Sequence, residues 1–169
     1  MVQVIDFGSG CFESETKYTY IQSRFYRAPE VVLGMRYGRE IDMWSFALIL
    51  VEIFTGVPLF PGRDEHEQLA CIMEVLGLPP IDMRENCKRR HQFFDSQLHP
   101  ILRANPEGKF RIPGSMVSLS RLILFSQWTR LDFNLRMCLC RLWKKLLAAL
   151  TKLFCLSSKN VFSGILKGG

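Results

Sequence analysis

The most constraining feature of this chain is a pair of tripeptides, Asp-Phe-Gly at residues 6–8 and Ala-Pro-Glu at residues 28–30. Residues 13–26 between them show neither helical nor strand periodicity, so contacts with other parts of the protein must hold them in place. Either tripeptide would occur by chance in many chains. The two in this order, on either side of the polar and aromatic stretch at residues 18–27, make a specific pattern.

The pair resembles the two ends of the activation segment of protein kinases, in which the aspartate of the first tripeptide binds the catalytic magnesium. Several other short stretches make the chain similar to the dual-specificity tyrosine-regulated kinases, the DYRK family. They are residues 5–8, 18–30, 41–45, 56–62 and 68–77, with a weaker likeness at 93–95 and 111–115. The resemblance implies a mainly α-helical fold, the C-terminal lobe of a protein kinase, without the N-terminal lobe and the catalytic loop.

The resemblance also assigns roles within residues 6–30. It makes Asp6 the ligand of magnesium and, through the metal, of ATP. Tyr20 is the activation-loop tyrosine that these kinases phosphorylate on themselves, and Arg24 and Arg27 are the arginines that grip its phosphate. Ser23 occupies the position that contacts the catalytic loop and the substrate. The alternative for the two arginines is that they are simply solvated.

Three further residues have structural roles by the same resemblance. Glu30 pairs in such kinases with a distant arginine, and the candidate here is Arg136, which follows Asp132 at a fitting spacing but without the usual proline. A buried glutamate without its partner would cost several kcal/mol. Asp42 would anchor the backbone of the catalytic loop.

Local patterns predict the secondary structure. The β-branched residues 2–5 read as a short buried strand, and Pro29 suits the first position of a short helix that ends at Gly34. The apolar run at residues 46–54 predicts a helix buried nearly all round, ended by Gly56. Residues 66–76 predict a more amphipathic helix, closed by Gly77.

Charge divides the chain into two parts. Residues 1–116, the predicted partial kinase domain, hold 13 basic and 15 acidic residues, whereas residues 117–169 hold 9 basic residues and a single acidic one. This basic tail contains an apolar stripe at helical spacing, which predicts an amphipathic helix over about residues 137–156. The stripe consists of Leu139, Leu142, Trp143, Leu146, Leu147, Leu150, Leu153 and Phe154.

The predicted helix of the tail could cover the open face of the lobe, lie on a membrane or bind a calmodulin-like protein. Alternatively, the tail could be a replaced C-terminus without selected structure. Its basic residues are too sparse for a nucleic-acid partner.

The function implied is ATP-dependent phosphorylation of serine and threonine in proteins, with self-phosphorylation on tyrosine. Phosphoryl transfer depends on positioning and electrostatics, and the printed sequence has no Gly-rich loop, ATP-orienting lysine or catalytic-loop aspartate. The 169 residues are therefore expected to be inactive by themselves. The alternative is a non-catalytic module that binds substrates or a partner kinase and competes with an active kinase. Another is an incomplete gene product.

The composition and the cysteines indicate the kind of cellular compartment in which the protein is expected. Hydrophobic residues make up 48% and charged residues 22%, as in ordinary globular proteins. Six cysteines without paired spacing suggest free thiols in a reducing compartment. The sequence shows no secretory signal and no apolar stretch long enough to span a membrane, so we expect the cytoplasm or the nucleus.

Overall fold

The computed structural model describes residues 3, 5–16, 18–115 and 148, and these are mainly helical. A 3-10 turn and five helices follow one another: the turn Arg24–Tyr26, α1 Pro29–Val32, α2 Glu40–Thr55, α3 Glu65–Leu76, α4 Ile81–Asn86 and α5 Arg90–Phe93. Pairing between strands is limited, in the described residues, to two isolated bridges, Phe94 with Pro100 and Ala104 with Phe110. The mainly α-helical fold is the one expected from the sequence.

The predicted strand at residues 2–5 is wrong where the structure describes it. Gln3 and Ile5 lie outside any strand and are exposed, Ile5 at 73%. A strand needs a neighbour for its backbone hydrogen bonds, and the described residues offer this segment none.

The proline start of α1 and the glycines after α1, α2 and α3 lie where the sequence predicted them. Pro29 opens α1, where its missing N–H is not needed, and Gly34 follows this helix with a positive φ of 67°. Gly56, at a φ of 77°, ends α2, and Gly77 ends α3. Asp64 caps α3 by accepting a hydrogen bond of 2.8 Å from the backbone N–H of Glu67.

Two clusters of buried side chains form the core. One packs the inner face of α2 on α1, on α3 and on the loop between α2 and α3; its members include Val31, Trp44, Leu48, Phe60 and Ile72. The other packs the opposite side of α1 and α3 on α4 and α5; its members include Leu33, Leu69, Met73, Met83, Phe93 and Phe94. Together they hold α1, and so the end of the 6–30 segment, against the body of the protein.

The prediction that α2 is buried nearly all round is wrong for the described residues. Met43, Phe46, Leu50 and Ile53 are exposed, Ile53 at 76%. The described helices pack against one side of α2, and an apolar run in the sequence cannot tell how many sides of a helix are covered.

Three cysteines fall within the described residues, and all three are free thiols, as expected: Cys11 is exposed, whereas Cys71 and Cys87 are buried. Burial raises the pKa of the Cys71 thiol to about 11, so it stays protonated at neutral pH. No helix of the described residues is both long enough and apolar enough to cross a membrane. The predicted helix at 137–156 and Arg136 lie outside the described residues, apart from Ala148, which is helical and exposed.

Candidate functional site

An open cavity of about 580 Å³ lies between the loop after Asp6 and the strip of chain that leads into α1. We call it the segment cavity. Its lining includes two arginines and no acidic residue, which makes it suitable for an anionic group. The lining residues are Gly8, Ser9, Tyr18, Tyr20, Ile21, Gln22, Ser23, Arg24 and Arg27.

Arg27 is the centre of the site. It is 1% exposed, and its Nε and Nη2 donate to the carbonyl oxygens of Ile21 and Gln22, each at 2.9 Å. Its Nη1 lies 2.9 Å from Oε1 of Glu65, in an ion pair that joins the segment to α3. The guanidinium carbon also lies 4.1 Å from the centre of the Tyr20 ring, a cation–π distance. One arginine therefore shapes the backbone of the segment and positions the tyrosine.

Glu65 joins this arginine to a second one. Its other oxygen accepts a hydrogen bond from Nη2 of Arg89, and Arg89 in turn donates through Nη1 to the carbonyl of Val32 at 3.0 Å. The hydrogen bond and charge of Arg89, and then those of Arg27, lower the pKa of the Glu65 carboxyl against the opposing effect of burial. Glu65 is thus an anion shared by the segment and by the end of α1.

Replacing Glu65 with glutamine should lower the stability near neutral pH, and the loss should shrink on acidification. The pKa of Glu65 in the folded state lies below its ordinary value of 4.5. Its contribution to stability is therefore fully present above that value and disappears as the pH falls through the lower, folded-state pKa. Urea unfolding of the wild type and of Glu65→Gln, from pH 7 down to about pH 3, measures the difference. Glu85→Gln, at an exposed position on α4, is the control, and a difference that is constant with pH would contradict the prediction.

Tyr20 itself is accessible. Its side chain is 70% exposed above Arg27, so another protein can reach the hydroxyl. Hydrogen bonding to Arg27 and the charge of Arg27, with a smaller contribution from Arg24, lower the pKa of the Tyr20 phenol. The site therefore already favours negative charge at the tyrosine oxygen.

Arg24 and Ser23 lie at the rim of the segment cavity. Arg24 is exposed and lines the cavity, and its Nη1 donates to the carbonyl of Arg63. Ser23 is also exposed and precedes the 3-10 turn, where its carbonyl accepts from the N–H of Tyr26 at 3.0 Å. The structure thus brings Tyr20, Ser23, Arg24 and Arg27 to one cavity.

Gln22 is a residue of the site that the sequence reasoning missed. Its side-chain nitrogen donates to the carbonyl of Ile41 and to Ser45 Oγ, both at 2.8 Å, and its oxygen accepts from the N–H of Ala28 at 3.0 Å. Ser45 Oγ then donates to the carbonyl of Tyr26 at 2.8 Å. Gln22 also has a positive φ of 65°, unusual for a residue with a long side chain. Ser45, a polar residue directly before the apolar run at residues 46–54, was the available signal for such a contact.

Asp6 is exposed, has a φ of 63°, and accepts a weak hydrogen bond of 3.4 Å from the N–H of Gly8. Its oxygens remain accessible, which fits a role as one carboxylate ligand of a magnesium ion whose other ligands are phosphates and water. Within the described residues, no three histidine, cysteine, aspartate or glutamate side chains gather as a protein metal site would require.

The predicted structural residues lie away from the cavity. Glu30 is buried in α1 at 4% exposure, and its predicted partner Arg136 lies outside the described residues. Asp42 is exposed in the first turn of α2 and does not line the cavity.

Among known protein families, one has a model that matches most of this chain. The model of the protein kinase domain matches residues 1–146. Dual specificity tyrosine-phosphorylation-regulated kinase 2 of Drosophila melanogaster is 54% identical over 138 residues, and kinase 4 of the same name from Homo sapiens is also 54% identical over 138 residues. The chain belongs to the DYRK family of protein kinases. The resemblance read from the short motifs is therefore confirmed.

The relatives are much longer than this chain. The matches to the Drosophila and human kinases cover 82% of this chain but 19% and 26% of those proteins. The probable serine/threonine-protein kinase dyrk2 of Dictyostelium discoideum is 63% identical over 99 residues, which is 59% of this chain and 11% of that protein. The chain thus spans only a small part of the length of these relatives.

Proposed function

We propose that this chain provides the activation segment and the substrate-side helices of an ATP-dependent protein kinase, which phosphorylates serine and threonine in proteins and its own Tyr20. The observation that carries the proposal is the position of Tyr20, exposed above the buried Arg27 at the edge of a cavity lined by cations. The proposed reaction, transfer of phosphate from ATP to a protein, is inferred from membership of the DYRK family.

In this proposal, phosphate on Tyr20 completes the site. A phosphate adds about two negative charges and three acceptor oxygens. Arg27 is fixed by its bonds to Ile21, Gln22 and Glu65, so it supplies a preformed positive charge. Arg24 is exposed and can turn from the Arg63 carbonyl to the phosphate. The phosphate would then hold the strip of chain that carries Ser23, which we assign to contact with the substrate.

Asp6 would hold magnesium in the complete kinase. The metal, when bound, neutralises the phosphates of ATP and positions them. Asp6 offers an accessible carboxylate at the start of the segment, and the other parts that bind ATP have no counterpart in the 169 residues. We therefore propose that these residues by themselves transfer no phosphate.

A non-catalytic role is the second candidate. The packed helices and the segment cavity form without the Gly-rich loop and the catalytic loop. The same surface could therefore bind protein substrates or a partner kinase without chemistry, in competition with an active relative. Neither candidate includes a nucleic acid, and any contact of the tail with a membrane or with calmodulin is a separate question.

Titration of the phosphate tests the proposed site. In the chain with phosphotyrosine incorporated at position 20, we expect the second pKa of the phosphate, ordinarily about 6, to be lowered by the two arginines. Arg24→Ala should return it part of the way, whereas Arg36→Ala, at an exposed arginine outside the cavity, should not change it. Phosphorus NMR measures the value. Equal pKa values in the wild type and Arg24→Ala would contradict the role of Arg24.

Binding of nucleotide separates the two candidates. The 169-residue chain should show no thermal stabilisation by magnesium and ATP. The polypeptide isolated from its source should be stabilised if it carries the remaining parts of a kinase, and it should lose both the stabilisation and the transfer of phosphate on Asp6→Asn. A source polypeptide that binds protein substrates but is neither stabilised nor active would favour the binding module.

A further inference from the structure

A second cavity, of about 90 Å³, lies between the first turns of α3 and residues 103–111. We call it the turn cavity. Its lining includes three arginines, Arg63, Arg103 and Arg111, and two acidic residues, Asp64 and Glu67. Since a water molecule takes up about 30 Å³ in the liquid, the turn cavity has room for about three waters or for one group of similar size, such as a phosphate.

The wall opposite α3 is a well-connected turn. Ala104 and Phe110 pair across it in an antiparallel bridge, and Oδ1 of Asn105 accepts hydrogen bonds from the N–H groups two and four residues further on, at 3.1 and 2.8 Å. Arg111 then joins the turn to α3, because its Nη1 lies 2.6 Å from Oε2 of Glu74. The turn cavity is therefore preformed, and a ligand would not have to order its walls.

The two acidic residues of the lining already have partners. Glu67 accepts a hydrogen bond of 2.8 Å from Nε of Arg63, and its other oxygen lies 3.6 Å from Nη2 of Arg111. The hydrogen bond from Arg63 lowers the pKa of the Glu67 carboxyl. Asp64 caps α3 by accepting the N–H of Glu67, at the positive end of the helix dipole. Neither carboxylate is therefore an unpaired anion at the turn cavity.

Arg103 supplies a positive charge in excess. It is exposed, lines the turn cavity, and makes no hydrogen bond or ion pair within the described residues. Burial and, to a smaller extent, the charge of Arg103 lower the pKa of the His66 ring, which lines the same cavity. A guanidinium without a partner, beside a space of this size, can donate two parallel hydrogen bonds to an oxyanion.

The turn cavity adjoins the segment cavity but is separate from it. Arg63 lines the turn cavity, and its carbonyl accepts the hydrogen bond from Arg24, which lines the segment cavity. The two cavities have no lining residue in common. A ligand in the turn cavity can therefore be detected and removed without changing the site around Tyr20.

We propose that the turn cavity is a binding site for a phosphate group, with Arg103 as its main donor and with added positive charge from Arg63 and Arg111. Two sources can supply such a group, a phosphorylated side chain of another protein and free inorganic phosphate. This inference does not depend on the proposed kinase function, because it rests on the charges and the walls of this cavity alone.

NMR of the histidine rings in the full chain tests the proposal. His66 lines the turn cavity, and its Nε2 lies 2.7 Å from the carbonyl oxygen of Gln92, whereas His91 and His99 do not line the cavity. At constant pH and ionic strength, inorganic phosphate or N-acetyl-phosphoserine methylamide should shift the His66 resonances with saturation and leave those of His91 and His99 unchanged. N-acetylserine methylamide, without the phosphate, should shift none of them.

The two probes also identify the source of the phosphate. Tighter binding of the phosphoserine compound would assign the site to a phosphorylated protein, and tighter binding of inorganic phosphate would assign it to the free ion. Both results support the site. The absence of a saturable shift at His66 with either probe would overturn the proposal.

Three variants with matched chemistry show whether Arg103 holds the phosphate. Arg103→Gln should weaken binding by about tenfold, because it removes the charge but keeps a long polar side chain. Arg36→Gln, at an exposed arginine that lines neither cavity, and Arg24→Gln, in the segment cavity, should leave the affinity within about twofold. Arg103 is exposed and without bonds in the described residues, so its replacement should leave the melting temperature unchanged. Equal affinities of Arg103→Gln and Arg36→Gln, or a larger loss with Arg24→Gln, would overturn the proposal.

Discussion

Replacing Arg27 with methionine should lower the free energy of unfolding by about 3–5 kcal/mol, the typical loss when one partner of a buried ion pair is removed. Methionine fills much of the same volume but leaves the carbonyls of Ile21 and Gln22 without their donors and takes one arginine from Glu65. Urea unfolding followed by circular dichroism measures the loss. The segment should also become more accessible to proteases between Tyr18 and Ala28, because Arg27 bridges it to α3.

Arg24→Met is the matched control for this prediction. Arg24 lies one turn before Arg27 and lines the same cavity, but it is exposed, so its loss should cost less than about 1 kcal/mol. Equal losses from the two substitutions would mean that the bonds of the buried guanidinium do not hold the segment. Arg24→Met should instead make the second pKa of a phosphate on Tyr20 less lowered. The two measurements therefore separate a role in stability from a role in binding the phosphate.

Replacing Gln22 with alanine should lower the free energy of unfolding by about 1–3 kcal/mol, the typical cost of leaving a buried polar group without its partner. The side chain of Gln22 bonds to the carbonyl of Ile41, to Ser45 and to the N–H of Ala28. Ala28 is fully buried, so water cannot readily replace the bond to its N–H. The loss should appear in equilibrium unfolding and as faster hydrogen exchange at Ala28.

Gln22→Gly separates the side chain from the backbone. Glycine loses the same hydrogen bonds but adopts the φ of 65° without strain, so it should be about 1 kcal/mol more stable than alanine at this position. A glycine variant no more stable than the alanine variant would show that the positive φ is not a cost in the native protein. Wild-type stability in both variants would contradict the role given to the Gln22 side chain.

Much of the site could be predicted from the sequence because its signals are close together in the chain. The two tripeptides and the residues between them led to the family, and they indicated Tyr20, Arg24 and Arg27 as neighbours. The ends of α1, α2 and α3 were also predictable, since a proline or a glycine acts through its own backbone.

The prediction for α2 failed for an equally physical reason. An apolar run requires that a helix be buried somewhere, but it does not say how many neighbours will cover it. The structure packs Trp44 and Leu48 inside and leaves Phe46 and Ile53 outside. What covers the second pair cannot be read from the apolar run, because it depends on elements far away in the sequence.

The sequence by itself determined the family and the proline and glycine ends of α1, α2 and α3, and it predicted a set of residues that could bind a phosphate on Tyr20. Only the tertiary structure decided that Arg27 is buried against Glu65, that Glu65 shares its charge with Arg89, and that Gln22 ties the segment to α2. The reason is the distance along the chain. Backbone preferences act over a few residues, whereas the partner of a buried charge is chosen by packing between helices that the sequence separates.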